Sequence, residues 1–302
     1  MNALKISQNL YLIDLEQKVK GFRNFIGSWV YIGDYTFLVD VGPSATVEEL
    51  VKSLRNLGIK RLDYVLLTHI HLDHAGGIGE LTEHFPEAKV VCHERAVQHL
   101  VKPQNLWEST KKTLGDIAVV YGEMRPVSEK KIIPSFEFQI DGIEAINTPG
   151  HAVHHVSYTC DRYLFAGEAG GVFHSLKNEI YQRPATPPKF YLEEAIESID
   201  RLLNLGKKQM CFGHFGIHKD SKEILERHRK QLFLWKEVIT DQVKRSSKDG
   251  DLVENCISEL LAEDNSFASF NHLDDDIKER ERYFIKNSIK GYIGYINYIN
   301  NL

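Results

Sequence analysis

The sequence has no paired-cysteine motif, no export signal, no membrane-length apolar run and no excess of positive charge. Its four cysteines in 302 residues, Cys92, Cys160, Cys211 and Cys256, show no Cys-x-x-Cys spacing. They read as small buried hydrophobes in a reducing compartment, and none is a convincing nucleophile. The opening Met1-Asn2-Ala3-Leu4-Lys5-Ile6-Ser7 has no apolar h-region with a small-residue cleavage site, and no stretch reaches about 18 apolar residues. A cytoplasmic location and no membrane partner are therefore expected. The formal net charge of −5 argues against a polyanion binder, so no nucleic-acid partner is expected. Internal repeats, low-complexity tracts and long charge runs are absent as well.

What is present describes an ordinary globular chain: 42% hydrophobic, 26% charged and 10% aromatic. Its length suits one large α/β domain, or a domain with an appendage, and allows a substantial core. Residues 1–219 read as the catalytic domain and residues 220–302 as a C-terminal helical region.

Apolar clusters at Asn9 to Asp14, Phe25 to Ile32 and Tyr35 to Val41, with Gly33-Asp34 between the last two, predict a hairpin opening. Thr46 is the expected N-cap of a helix to about Asn56. Ala88 to Cys92 reads as a strand, His93 to Val101 as a helix, and Lys102 to Tyr121 as a helical excursion with Trp107. That excursion walls a pocket or buries Trp107 in the core. Strands are expected again at Phe136 to Ile140, Ile143 to Asn147, Val156 to Cys160 and Tyr163 to Ala166, forming a second, antiparallel sheet. Pro184 to Pro188 is a rigid connection before a helix from about Tyr191 to Leu205 and a strand at Gln209 to Gly213. Three helices follow, at Ser221 to Lys244, Asp251 to Ala262 and about Asp274 to Asn287, with a Lys248-Asp249-Gly250 break between the first two. The stretch Tyr292 to Ile299 is too apolar to stand in water.

The chemistry concentrates at Thr68-His69-Ile70-His71-Leu72-Asp73-His74-Ala75-Gly76-Gly77. Leu62 to Leu67 reads as a buried strand that stops where four metal-ligand side chains fall within six residues. His69 and His71, two apart, project to one side and can grip one ion; Asp73 and His74 can serve another. Imidazole and carboxylate are the donors that borderline and hard divalent ions prefer.

This stretch resembles the His-x-His-x-Asp-His signature of the metallo-β-lactamase superfamily of metallohydrolases, on its glyoxalase II-like or lactonase-like branch. Further motifs agree in order: Thr148-Pro149-Gly150-His151, then Leu164-Phe165-Ala166-Gly167-Glu168, then Cys211-Phe212-Gly213-His214. The resemblance implies an α/β, four-layer αββα sandwich with a C-terminal helical appendage and two divalent metal ions, with zinc placed ahead of iron or manganese. By the same resemblance His69, His71 and His151 hold the first ion and Asp73, His74 and His214 the second. Glu168 stands where most relatives have a bridging aspartate; one methylene longer, it bridges the two ions, binds one of them or tunes their spacing. Asp40 then supports the site from behind, and Asp73 doubles as the catalytic residue that orients the nucleophile. His154 and His155 read as structural or supporting, His218 as a surface histidine or substrate contact, and His84, His93 and His99 as structural or solvent-facing.

The function implied is a metal-dependent hydrolase that directs a metal-bound hydroxide at a small ester, thioester or lactone. Trp29, Tyr31, Phe173 and Tyr181 line an apolar pocket for it or belong to the core. The alternatives are a phosphodiesterase, a non-haem iron enzyme handling oxygen or sulfur, and a regulatory protein that keeps its metals. The C-terminal helices cover the metal cleft or make a homodimer.

Overall fold

The apolar run before the histidines folds as expected, because its side chains are buried on both faces of a sheet. The computed structural model describes residues 3–177, 179–245 and 251–300. They form two compact units: one takes the chain up to Asn147 with His154–Gly167 and Gly213–Phe215, the other Thr148–Val153, Glu168–Phe212 and the chain from Gly216 onward.

In the first unit, strands β1 (Ala3–Lys5), β2 (Leu10–Asp14), β3 (Gly27–Ile32), β4 (Thr36–Val39), β5 (Tyr64–Leu66), β6 (Lys89–Cys92) and β7 (Ile132–Pro134) lie side by side in chain order. β1 to β4 are antiparallel neighbours, and β4 to β7 are parallel. Parallel strands need crossover helices. These are α1 (Val47–Asn56), α2 (Leu72–Ala75), α3 (Ile78–His84), α4 (Val97–Val101), α5 (Gln104–Leu114) and α6 (Asp116–Tyr121). Val65 and Leu66 of β5 are fully buried, as expected for a central parallel strand. α1 buries Val47, Leu50, Val51 and Leu54, the spacing of one helical face.

Three expectations change here. Thr46 stands at the N-cap position of α1 as expected, but its side chain makes no capping bond: the hydroxyl donates to the Pro43 carbonyl, and a 3-10 turn over Ser44–Thr46 leads into the helix. The strand predicted at Phe136 to Ile140 is displaced upstream to β7, followed by a 3-10 turn at Ser135–Glu137. Pro134 has no N–H to continue the ladder, so pairing stops there. Trp107 is only half-buried and α5 buries no residue at all, which removes the core explanation for this excursion.

β8 (Ile143–Asn147), β9 (Val156–Cys160) and β10 (Tyr163–Gly167) form an antiparallel meander. The Asp161-Arg162 turn has Asp161 at φ 53°, a conformation that aspartate tolerates. The meander faces the larger sheet: the Phe165 ring lies 6.3 Å from Trp29 and 6.0 Å from Phe37, and the Tyr158 hydroxyl donates to the Leu67 carbonyl at 2.9 Å.

The second unit holds the antiparallel pair β11 (Val172–Ser175) and β12 (Ile180–Arg183), which the sequence reading did not anticipate, then α7 (Leu192–Leu203) and the short pair β13 (Gln209–Phe212) and β14 (Ile217–His218). α8 (Ser221–Arg245), α9 (Leu252–Glu263), α10 (Asn265–Ala268) and α11 (Asp275–Asn300) complete it. The expected Lys248-Asp249-Gly250 break lies outside the described residues. α11 runs well past Asn287, through Gly291. A Cβ there would stand 2.2 Å from the Thr186 carbonyl oxygen, so this glycine serves a backbone-to-backbone approach rather than a helix stop. Trp235, Phe267, Tyr292 and Phe190 form the aromatic centre, with Trp235 5.2 Å from Phe267 and Phe190 5.0 Å from Tyr292. The apolar tail is largely satisfied there: Tyr292, Tyr295 and Ile296 are buried, while Tyr298 stays half exposed.

Candidate metal centre

The chain leaves β5 and enters the one-turn helix α2, which carries Asp73 and His74 while His71 sits just before it. The turn is held close by glycines. A Cβ on Gly77 would meet a Val47 methyl at 2.3 Å, and the Val41 and Gly42 amides both donate to the His74 carbonyl, at 2.8 and 3.1 Å.

Asp40 anchors the whole arrangement from the end of β4. It is 2% exposed and adopts φ 58°. Its Oδ1 accepts the Thr68 amide at 2.8 Å, and its Oδ2 accepts the Thr68 hydroxyl at 2.8 Å and His74 Nδ1 at 2.9 Å. Asp40 can only accept, so His74 carries its proton on Nδ1 and presents the Nε2 lone pair, 3.8 Å from Asp73 Oδ2. The same logic passes through Thr68. Its hydroxyl proton goes to Asp40, so its oxygen accepts from His69 Nδ1 at 3.0 Å, which leaves His69 Nε2 as the donor atom. Asp40 was legible in the sequence. Thr68 was not singled out, although it is the residue immediately before the first histidine.

Asp73, His74 and His214 offer ligand atoms that all lie within 4.8 Å of one another. Gly213 delivers His214: its amide donates to the Gly167 carbonyl at 2.8 Å, and a Cβ on it would approach the Gly167 backbone to 2.8 Å. Phe25 stacks on the His214 ring at 4.3 Å and fixes its plane. The His69 ring stands edge-to-face with His71 at 4.6 Å and 4.2 Å from His74. This unit thus brings five of the predicted residues together. His155 packs behind His69, ring centroids 5.3 Å apart, in the space Gly167 leaves open.

In the second unit, His151 Nε2 meets Glu168 Oε2 at 2.9 Å, and His151 Nδ1 donates to the Ala185 carbonyl at 2.9 Å. Backbone carbonyls carry no sequence signal, so Ala185 could not have been read in advance. The imidazole and carboxylate donors in both units suit divalent zinc, iron or manganese and do not select among them.

The other histidines separate from these. His84 faces Glu48 on the surface, and His93 accepts the Arg95 amide at a helix start. His218 is buried, with its Nδ1 2.8 Å from the Asp220 carbonyl oxygen, which corrects its reading as a surface group. Trp29, Phe173 and Tyr181 are buried, and Phe173 also borders a surface pocket with Ser175, Ile217 and His218.

Residues 23–214 match the Metallo-beta-lactamase superfamily, and the chain belongs to that family. A metallo-β-lactamase fold-containing protein of Sulfurisphaera tokodaii is 32% identical over 231 residues, 74% of this chain and 83% of that protein. A probable metallo-hydrolase of Methanocaldococcus jannaschii is 30% identical over 156 residues, covering 50% of this chain and 70% of its own. A hydroxyacylglutathione hydrolase of Buchnera aphidicola is 26% identical over 190 residues, 62% of this chain and 60% of its own. The crystal structure of a metallo-β-lactamase family protein from Thermus thermophilus superposes with a TM-score of 0.66 at 20% identity, covering 98% of this chain and 95% of that one. The fold is therefore the α/β metallo-β-lactamase fold with a C-terminal helical region.

Proposed function

We propose that this protein is a binuclear metallohydrolase acting on a small ester, thioester or lactone, with residues 1–219 as its catalytic domain and residues 220–302 as the helical region. His69, His71 and His151 hold one ion, Asp73, His74 and His214 the other, and Glu168 is shared. Zinc is the metal proposed first, ahead of iron and manganese. The observation that carries this reading is the Asp40 hydrogen-bond set, which fixes His74 as the Nδ1–H tautomer beside Asp73 and His214. Such support behind a ligand is what metal-binding histidines need.

Bound divalent ions lower the pKa of a coordinated water and polarise a carbonyl oxygen. The protein supplies orientation. To Asp73, partly open to solvent beside the buried His74, we assign the role of accepting a proton and turning the attacking water. The thioester class draws support from the hydroxyacylglutathione hydrolases among its relatives. No helix among the described residues is long and apolar enough to cross a membrane. We place the protein in the cytoplasm with a small-molecule substrate and no nucleic-acid partner.

Metal content per chain tests this directly, measured by plasma mass spectrometry on protein purified without added metal. Two equivalents, with hydrolysis of a thioester or lactone panel that Asp73→Asn abolishes, are expected. One equivalent of iron with oxygen uptake would overturn the hydrolase. The homodimer through the C-terminal helices is proposed on the half-exposed Tyr298; a monomer mass by light scattering at high micromolar concentration would remove it.

A further inference from the structure

The segment that orients His151 is not held by its own strand alone. Ala185, whose carbonyl takes the His151 Nδ1 proton, sits between Pro184 and Thr186 just past β12, and both neighbours are tied to α11. The Pro184 carbonyl accepts from Ser288 Oγ at 3.1 Å and from Arg183 Nη1 at 3.2 Å. The Thr186 hydroxyl donates to the Ser288 carbonyl at 2.9 Å. One turn further along α11, Gly291 lets the helix backbone lie against Thr186 and Pro187 without a side chain between them.

The preceding residue is fixed more firmly still. Arg183 Nε donates to Glu281 Oε2 at 2.5 Å, the Tyr181 hydroxyl donates to the same oxygen at 2.8 Å, and Arg280 Nη2 reaches the other carboxylate oxygen at 2.9 Å. Glu281, Ser288 and Gly291 are separated by seven and three residues, so they share one face of the helix. That face grips residues 181–187 from both sides of the one carbonyl that His151 uses.

We propose that α11 is a clamp that sets the orientation and tautomer of His151, with Ser288 and Thr186 as positioning residues that act through the Ala185 carbonyl. The inference rests on the proposed role of His151 as a ligand. An imidazole whose Nδ1 proton is committed to a fixed acceptor presents Nε2 in one direction only, and loosening the acceptor loosens the donor atom. The distant C-terminal helix then tunes affinity without touching the ions.

The test uses full-length protein with Ser288→Ala, Thr186→Val, His151→Ala and the control Ile285→Val, a buried change on the same helix that leaves these hydrogen bonds in place. Two readouts are independent of turnover: zinc affinity by competition with a chromophoric chelator, and the visible absorption of cobalt-loaded protein. Ser288→Ala and Thr186→Val are expected to weaken one of the two zinc sites about tenfold and to shift the cobalt bands, with the other site unchanged. Ile285→Val is expected to lower the melting temperature and leave both readouts at wild type. If Ile285→Val moves them as far as Ser288→Ala does, or if Ser288→Ala and Thr186→Val move neither, the clamp is overturned. His151→Ala separates the two ideas: loss of one ion keeps the ligand assignment whatever the clamp does, whereas unchanged zinc binding removes the assignment itself.

Discussion

Asp40 Oδ2 stands 2.9 Å from His74 Nδ1, across a gap of 34 residues in sequence, and the same oxygen takes the Thr68 hydroxyl at 2.8 Å. One buried carboxylate therefore orients His74 on α2 and, through Thr68, His69 on the loop after β5, both of them proposed ligands.

Replacing Asp40 by asparagine tests that relationship with little backbone cost, because asparagine tolerates the φ of 58° found here. The amide keeps one acceptor but loses the charge and turns a donor toward its partners. Zinc affinity is expected to fall about ten- to a hundredfold with the fold intact by circular dichroism. Unchanged affinity would show that His74 needs no such support.

His228 gives a pH dependence of stability. Burial holds its imidazole down to about 4 from an ordinary 6.5, with Gln231 Oε1 3.1 Å from Nδ1 opposing the effect only partly. Between those values the unfolded chain takes up a proton that the folded one refuses. Its contribution is thus complete above pH 6.5 and lost as the pH falls towards 4, by up to ~3 kcal/mol. His228→Asn keeps a donor for Gln231 without titrating. The stability difference between the two proteins, from urea midpoints at pH 7 and 4.5, should change by about 2–3 kcal/mol in favour of the variant at the lower pH. A constant difference would count against this account.

Glu281 lies buried between Arg183 and Arg280. Burial alone would raise its pKa, but the two guanidiniums outweigh it and hold the carboxyl well below the usual range. Glu281→Gln leaves two buried cations facing each other, and a loss of about 3–5 kcal/mol is expected, read as a fall in melting temperature. A loss under ~1 kcal/mol would mean that the network behaves like a surface pair.

Gly167→Ala should damage both fold and site. Its φ of 55° already disfavours a side chain, and a Cβ would stand 2.3 Å from His155 Nε2. About 1–2 kcal/mol is expected from the backbone conformation alone, with more from displacement of His155 behind His69. Calorimetry with zinc titration would register both effects; a variant as stable as the parent would show that His155 moves freely.

The order of elements could be read in advance because apolar periodicity and turn residues declare themselves: the strands at Ile143 to Asn147 and Val156 to Cys160 came out with the expected bounds, and Leu62 to Leu67 holds the shorter strand Tyr64–Leu66. The residues proposed as ligands were equally visible as a cluster, since histidine and aspartate at the end of an apolar strand have few other reasons to gather. The β11–β12 pair escaped notice because its residues, Val172–Ser175 and Ile180–Arg183, are short and partly polar. The extent of α11 was hidden by Gly291, whose purpose lies in a backbone contact with Thr186. Thr68 and Ala185 were missed for a shared reason. What they contribute is a hydroxyl and a carbonyl placed by the fold, and neither is chemistry that residue type announces.

The tie between β12 and α11 also has a temporal side. Arg183 and Glu281 are 98 residues apart, and Thr186 and Ser288 are 102 apart. A ribosome adds about 5–20 residues per second, so the segment carrying Ala185 waits on the order of 5–20 s after its synthesis before its partner helix exists. Throughout that interval the nascent chain holds Arg183 without its carboxylate and His151 without a fixed acceptor, and any ion captured early meets only the ligands that are already in place.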